Sequence, residues 1–268
     1  MATETKPAMT REERMATQPI GRLMAGMTLP AILAQIINIL YSIIDRIYIG
    51  HMEGVGANAL TGVGVTFCIT VFISAFSAFI SNGAAPLAAI WLGKGDREHA
   101  EKILSNSVSF LVICTVALMT FFYAFQRPLL YMFGASDATI GYAMDYLSIY
   151  LLGTLFVELA LGLNAFIICQ SQPRIAMFSV LIGAVANIVL DPVFIFGLLM
   201  VVKGAAIATV ISQGLSAAWV MSFLLGKKTS LKVRRSCMRL EGRILGSVFS
   251  LGISPFIMNA TESFISIV

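Results

Sequence analysis

The stretch Asn187-Ile188-Val189-Leu190-Asp191-Pro192-Val193-Phe194-Ile195-Phe196-Gly197 lies inside an apolar run from Ile175 to Val202, with Arg174 and Lys203 as its nearest charges. A run of that length crosses a bilayer as a helix at about 1.5 Å per residue. It puts Asp191 at membrane depth, where an ionised carboxylate costs at least ~2.5–3.5 kcal/mol. Asn187 precedes it by one turn, so amide and carboxyl project from the same helix face. Pro192 has no N–H to offer the carbonyl of Ile188, which predicts a free acceptor and a kink beside the carboxyl. An amide, a carboxyl and a loosened carbonyl at one depth form a candidate site for a small cation or a proton.

The rest of the chain reads as the wall around that site. Of its 268 residues, 58% are hydrophobic and only 12% charged, and the mean hydropathy is +0.87. A soluble domain carries roughly twice that charge, so the composition predicts an integral membrane protein. Seven apolar segments separate at about 24–49, 60–91, 103–125, 142–169, 175–201, 204–225 and 244–268. None alternates with the period of a strand, so the expected fold is an all-α bundle. The net charge of +4 does not point to nucleic acid, because the basic residues collect in loops. With the N-terminus inside, fifteen of the eighteen Lys and Arg residues face the cytoplasm and only Arg46, Arg127 and Lys203 lie outside. The positive-inside rule therefore predicts a multi-pass protein of the cell membrane with a cytoplasmic N-terminus.

Residues 1–22 read as a cytoplasmic arm, polar and without the pattern of a cleavable signal peptide. The six-helix region spans 23–225, and 226–243 is a basic cytoplasmic loop with seven Lys or Arg residues against one Glu. Anionic lipid headgroups are possible partners of that loop, although topology alone accounts for it. Residues 244–268 repeat the start of the chain: Gly26-Met-Thr-Leu-Pro30 and Leu251-Gly-Ile-Ser-Pro255 each follow a Gly-Arg pair, at a separation of 225 residues. A repeat of that size implies two similar helical lobes, of which the 268 residues hold the first and the opening helix of the second.

Within the first helix, Asn38, Tyr41 and Asp45 share one face in the outer half, beyond the hinge expected at Pro30. Asp45 either pairs with Arg46 at the interface or faces the bundle while Arg46 snorkels outward; the second reading is preferred. Counting helix rise puts Asp45 ~35 Å beyond Arg22, Asp191 ~18 Å from Lys203 and Thr209 ~9 Å from the same lysine. All three fall in the outer half of the bilayer, so one cavity between helices one, five and six can hold Asp45, Asn187, Asp191 and Thr209. Glu158, near mid-membrane in the fourth helix, is either functional or a protonated carboxyl bonded to a neighbouring helix. The third helix holds no charge, is expected to end at Gln126-Arg-Pro128, and is followed by a cap at Ala135-Ser-Asp137. Gly204, Ala208, Ser212 and Ser216 form a small-residue seam in the sixth helix. Gly93-Lys-Gly-Asp-Arg-Glu-His-Ala100 matches no Walker spacing and reads as a solvated turn. His51 and His99 are single loop histidines, and the four cysteines show no metal or redox spacing.

Three features carry a resemblance to a known family: Pro30 with Tyr41-Ser-Ile-Ile-Asp45, the loop Gly93-Lys-Gly-Asp96, and above all Asn187 through Gly197. Together they resemble the multidrug and toxic compound extrusion transporters. The resemblance implies twelve helices in two six-helix lobes that open alternately to each side, and secondary antiport of drugs against H⁺ or Na⁺, with no other cofactor. It implies a cation site at Asp45, Asn187, Asp191 and Thr209, with Tyr146 as a neighbour, and hinges at Pro30 and Pro192. Drug contacts would come from Asn38, Tyr41 and Asn164, with Glu158 as a further cavity candidate. Glu262 resembles an acidic position found in some branches.

On this reading small amphiphilic compounds are the substrates, and the partner is a C-terminal lobe, from the same chain or a second copy. Two other readings stay open. A lipid-linked precursor flippase of related architecture would have a wider, more basic cavity than helices so poor in Lys and Arg suggest. A fragment that does not transport would share the fold without the activity. A membrane-embedded enzyme is disfavoured by the lack of a nucleophile–base pair or a His-Glu-x-x-His pattern.

Overall fold

In hydrocarbon every backbone N–H and C=O must find a partner within its own segment, and all seven apolar runs meet that demand as helices. The computed structural model describes residues 20–52, 54–226, 229–234 and 237–265. The helices are α1 (Ile20–Gly50), α2 (Gly56–Gly93), α3 (Arg97–Met132), α4 (Ile140–Cys169), α5 (Pro173–Gly197), α6 (Val202–Leu225) and α7 (Gly242–Ile265). Each is long and apolar enough to cross a membrane. Most of the predicted arm lies outside the described residues, and its last three residues already belong to α1.

Helix α4 is the centre of the bundle, packed by α2, α3 and α6, while α1 leans mainly on α5. Close approach is paid for in side-chain volume: a Cβ on Gly153 of α4 would strike Val210 of α6. The predicted seam of α6 is buried at Gly204, Ala208, Ser212 and Ser216. It meets α5, where Gly204 lies against the backbone of Phe194 and Gly183 faces Ser212 and Ser216. The opposite face of α1 exposes Ile32, Ile36, Ile39, Ile43 and Ile47, an apolar surface of the kind lipid requires.

Helix α3 differs from its expected bounds. It runs through Pro128 to Met132 and turns at Gly134, whose φ is +98°. Asp137 accepts a hydrogen bond from Tyr131 Oη at 3.0 Å, and it is the Ser136 carbonyl that accepts the Ile140 N–H at 2.9 Å as α4 begins. At the other end Gly95, at φ +82°, makes the turn that lets Asp96 cap α3 by accepting from His99 N at 2.9 Å. Downstream of Asp191 the helix widens into a π-turn over Val193–Gly197, the adjustment that follows when Pro192 withdraws its N–H from the ladder.

The basic loop after α6 is not simply solvated. Gln170 Oε1 accepts from Thr229 Oγ1, Ser230 N and Leu231 N at 2.7, 2.7 and 3.1 Å. Along α3, Glu101, Ser105, Asn106 and Ser109 bind Lys232 N, Arg234 N, Glu241 N and the Met238 carbonyl in turn. Leu231 joins the core formed by Leu104, Phe166 and Val220. The loop is a strap over the basic end of the bundle. It delivers α7 to α2, where Gly252 lies against Phe79 and Gly83, and where Phe79 meets Phe249 and Phe256.

Candidate functional site

Helix α1 turns Asn38, Tyr41, Ser42 and Asp45 toward a cavity of about 620 Å³. Its other walls come from Thr66, Thr70 and Ser74 of α2, Tyr146, Tyr150, Val157 and Leu161 of α4, and Thr209 and Gln213 of α6. Arg46 borders the same cavity but forms no ion pair with Asp45 among the described residues; its guanidinium lies 5.4 Å from the ring centre of Phe67. Adjacent helix residues diverge by about 100°, which permits that separation.

Behind Asp45, α5 presents Asp191 and Asn187, which are 0% and 2% exposed. The carboxyls of Asp45 and Asp191 face each other within hydrogen-bonding reach. Asn187 Nδ2 donates to Asp191 Oδ1 at 3.1 Å and approaches Thr209 Oγ1 at 3.5 Å. Tyr146 lies beside Thr209 in the cavity wall and stacks on Tyr150, with ring centres 6.0 Å apart. Asp45 Oδ1, Asp191 Oδ2 and Asn187 Oδ1 receive no donor among the described residues. Two carboxyls sit this close only with a proton or a cation between them, because like charges repel at short range. The orphan oxygens, two carboxylic and one amide, are the hard donors that suit H⁺ or Na⁺ and not a soft metal. The residues present therefore fit a small monovalent ion held by Asp45, Asp191, Asn187 and Thr209.

The structure thus brings together Asp45, Asn187, Asp191, Thr209 and Tyr146, and lines the adjoining cavity with Asn38 and Tyr41. Three other candidates do not border that cavity. Glu158 is fully buried between α2 and α4. Asn164 donates to the Ala176 carbonyl at 3.3 Å and ties α4 to α5. Glu262 lies on the exposed side of α7. Gln213, which lines the cavity together with Tyr41, escaped the sequence reading. An uncharged amide within an apolar helix was its available signal. Thr66, Thr70 and Ser74, at four-residue spacing in α2, had the same kind of signal.

The MatE family model matches residues 30–193, the segment that runs from Pro30 within α1 to just past Pro192 and contains both acids of the pair. The chain belongs to the MatE family. Among curated relatives, the multidrug export protein MepA of Staphylococcus haemolyticus is 26% identical over 239 residues, covering 89% of this chain and 52% of the relative. A solved outward-facing conformation of a multidrug resistance MATE family transporter superposes with a TM-score of 0.86 at 22% identity, covering 96% of this chain and 57% of that one. The crystal structure of MATE in the bent conformation gives 0.81 at 24% identity, over 88% of this chain and 52% of the other. At those identities the likeness shows the fold. The chain spans about half the length of the curated MatE relatives it matches.

Proposed function

We propose that this chain forms the ion-coupled lobe of a secondary antiporter that exports cationic or amphiphilic compounds in exchange for H⁺ or Na⁺. The observation that carries the proposal is the facing of Asp45 and Asp191 between α1 and α5, directly behind a cavity with polar and aromatic walls. The relatives described as multidrug export proteins support the substrate class. The crowding of basic residues in the strap and at the start of α3 supports a cytoplasmic placement of that end.

The cycle follows from charge. With no ion bound, the two carboxylates repel and hold α1 away from α5, which keeps the cavity wide. Entry of H⁺ or Na⁺ from outside cancels that repulsion, and α1 closes on α5 by bending at Pro30. The cavity narrows at Asn38 and Tyr41, and an amphiphile resting there is expelled. Opening toward the cytoplasm then releases the ion. One charge crossing 100 mV contributes ~2.3 kcal/mol, so an H⁺ or Na⁺ concentration gradient is needed for steep accumulation.

The test is efflux of a cationic dye from cells carrying wild type or Asp191→Asn at matched membrane levels. Loss of ion-driven efflux with normal insertion is expected; undiminished efflux would sink the proposal.

A further inference from the structure

One buried acid has no part in that cycle. Tyr146, Tyr150, Thr154 and Glu158 recur at four-residue spacing on α4 and so form one edge of the helix, ~18 Å long. All four are buried, Thr154 and Glu158 completely. The edge begins at the ion site, where Tyr146 lies beside Thr209 and stacks on Tyr150. Thr154 Oγ1 donates to the Tyr150 carbonyl at 3.0 Å, and Glu158 follows one turn later.

The surroundings of Glu158 are unlike those of a structural clip. Ser77 of α2 lies against it, yet donates its proton to the backbone carbonyl of Glu158 at 3.2 Å. Cys114 of α3 lies within electrostatic reach, as does Tyr150 of its own helix. Among the described residues α5 and α6 bring no charged or titratable group to it, and no Lys, Arg or His faces it. Ser77 approaches the carboxyl as well, yet neither carboxyl oxygen meets a donor at hydrogen-bond geometry. A neutral carboxyl kept for architecture holds its place by bonding a neighbour. Only the loose approach of Ser77 holds the Glu158 carboxyl, which leaves this buried group free to serve by exchanging a proton. Its neighbours Val157 and Leu161 line the cavity, which puts water-accessible space on the other side of the same turn of α4.

We propose that Glu158 is a second proton-binding site, separate from the Asp45–Asp191 pair and placed at the far end of the polar edge of α4 that starts there. It holds its proton while no cation faces it. It gives up that proton, as H⁺ to water entering from the cavity side, and becomes a carboxylate when the helices around it part. The site exists whether or not the aspartate pair drives transport.

An infrared pH titration of the chain in phosphatidylcholine vesicles tests this without reference to transport. In Asp45→Asn/Asp191→Asn the carbonyl-stretching band of a protonated carboxyl is expected to persist and to vanish as pH is raised. Adding Glu158→Gln should remove it. If that triple variant fails to fold, Glu158→Asp in the same background should shift the band. A double variant with no such band, a band indifferent to pH, or one that survives Glu158→Gln without change overturns the proposal.

Discussion

Glu101 of α3 and Arg234 of the strap form an ion pair between residues far apart in sequence, and the Glu101 side chain is 1% exposed while that of Arg234 is 55% exposed. The same carboxylate takes Arg97 Nε at 3.2 Å and Lys232 N at 3.3 Å. One buried anion therefore gathers three donors and fastens the link between α6 and α7 to α3. Replacing Glu101 with Ala should free the strap and lower stability by about 1–2 kcal/mol, the value of its charged hydrogen bonds after solvent screening of half-exposed guanidinium groups. Faster tryptic cleavage at Lys232, Arg234 and Arg239 in membranes is the readout, and an unchanged rate would show that the remaining contacts suffice.

Asp45 and Asp191 should behave as one group. Either Asn substitution is expected to abolish ion-driven efflux, and the double variant should be no worse than either single one, since residues acting as a unit are not additive. Measured efflux rates in the three variants decide the matter. A double variant with a loss equal to the product of the singles would mean two independent sites.

Asn187 should matter more than Thr209. Its amide makes a 3.1 Å bond to Asp191 and only a 3.5 Å contact with Thr209. Asn187→Leu should weaken ion affinity by about tenfold or more, the equivalent of one hydrogen bond to a charged group. Thr209→Val, which keeps the shape, should cost less. Ion dependence of dye efflux, compared between the two, gives the ranking.

The crossing of α7 over α2 should not tolerate bulk. A Cβ at Gly252 would lie 2.6 Å from the Phe79 carbonyl oxygen, and one at Gly83 would lie 2.8 Å from that of Val248. These obstacles are backbone, which cannot rotate away. Gly252→Val is expected to lower thermal stability in detergent by about 1–3 kcal/mol through overpacking, whereas Gly64→Ala, where nothing lies within 4 Å, should leave it unchanged.

The helices were legible because each carries its own cause. An apolar run crosses the membrane whatever its neighbours do, and six of the seven fell within a few residues of their expected bounds. Helix α3 did not, because Pro128 is tolerated near a helix end that the next turn, not the proline, terminates. Depth was legible for the same reason: helix rise alone put Asp45, Asp191 and Thr209 at one level.

Which of those residues touch is a different question. The alignment of Asn187 with Asp191 was set by one turn of a single helix and could be read from spacing. The facing of Asp45 and Asp191 depends on how α1 leans on α5, and the exclusion of Glu158 and Asn164 from the cavity depends on the rotation of α4. Neither rotation is encoded in a local period when a helix is apolar on nearly every side. The strap shows the limit most clearly. Its seven basic residues bear on orientation in the membrane and say nothing of its path, which follows polar partners on α3 and α4 that only folding brings beneath it. Sequence alone determined the number of spans, their depth register and the family. Tertiary packing decided which polar groups meet, because in a membrane the cost of an unpartnered polar group is settled between helices and not within them.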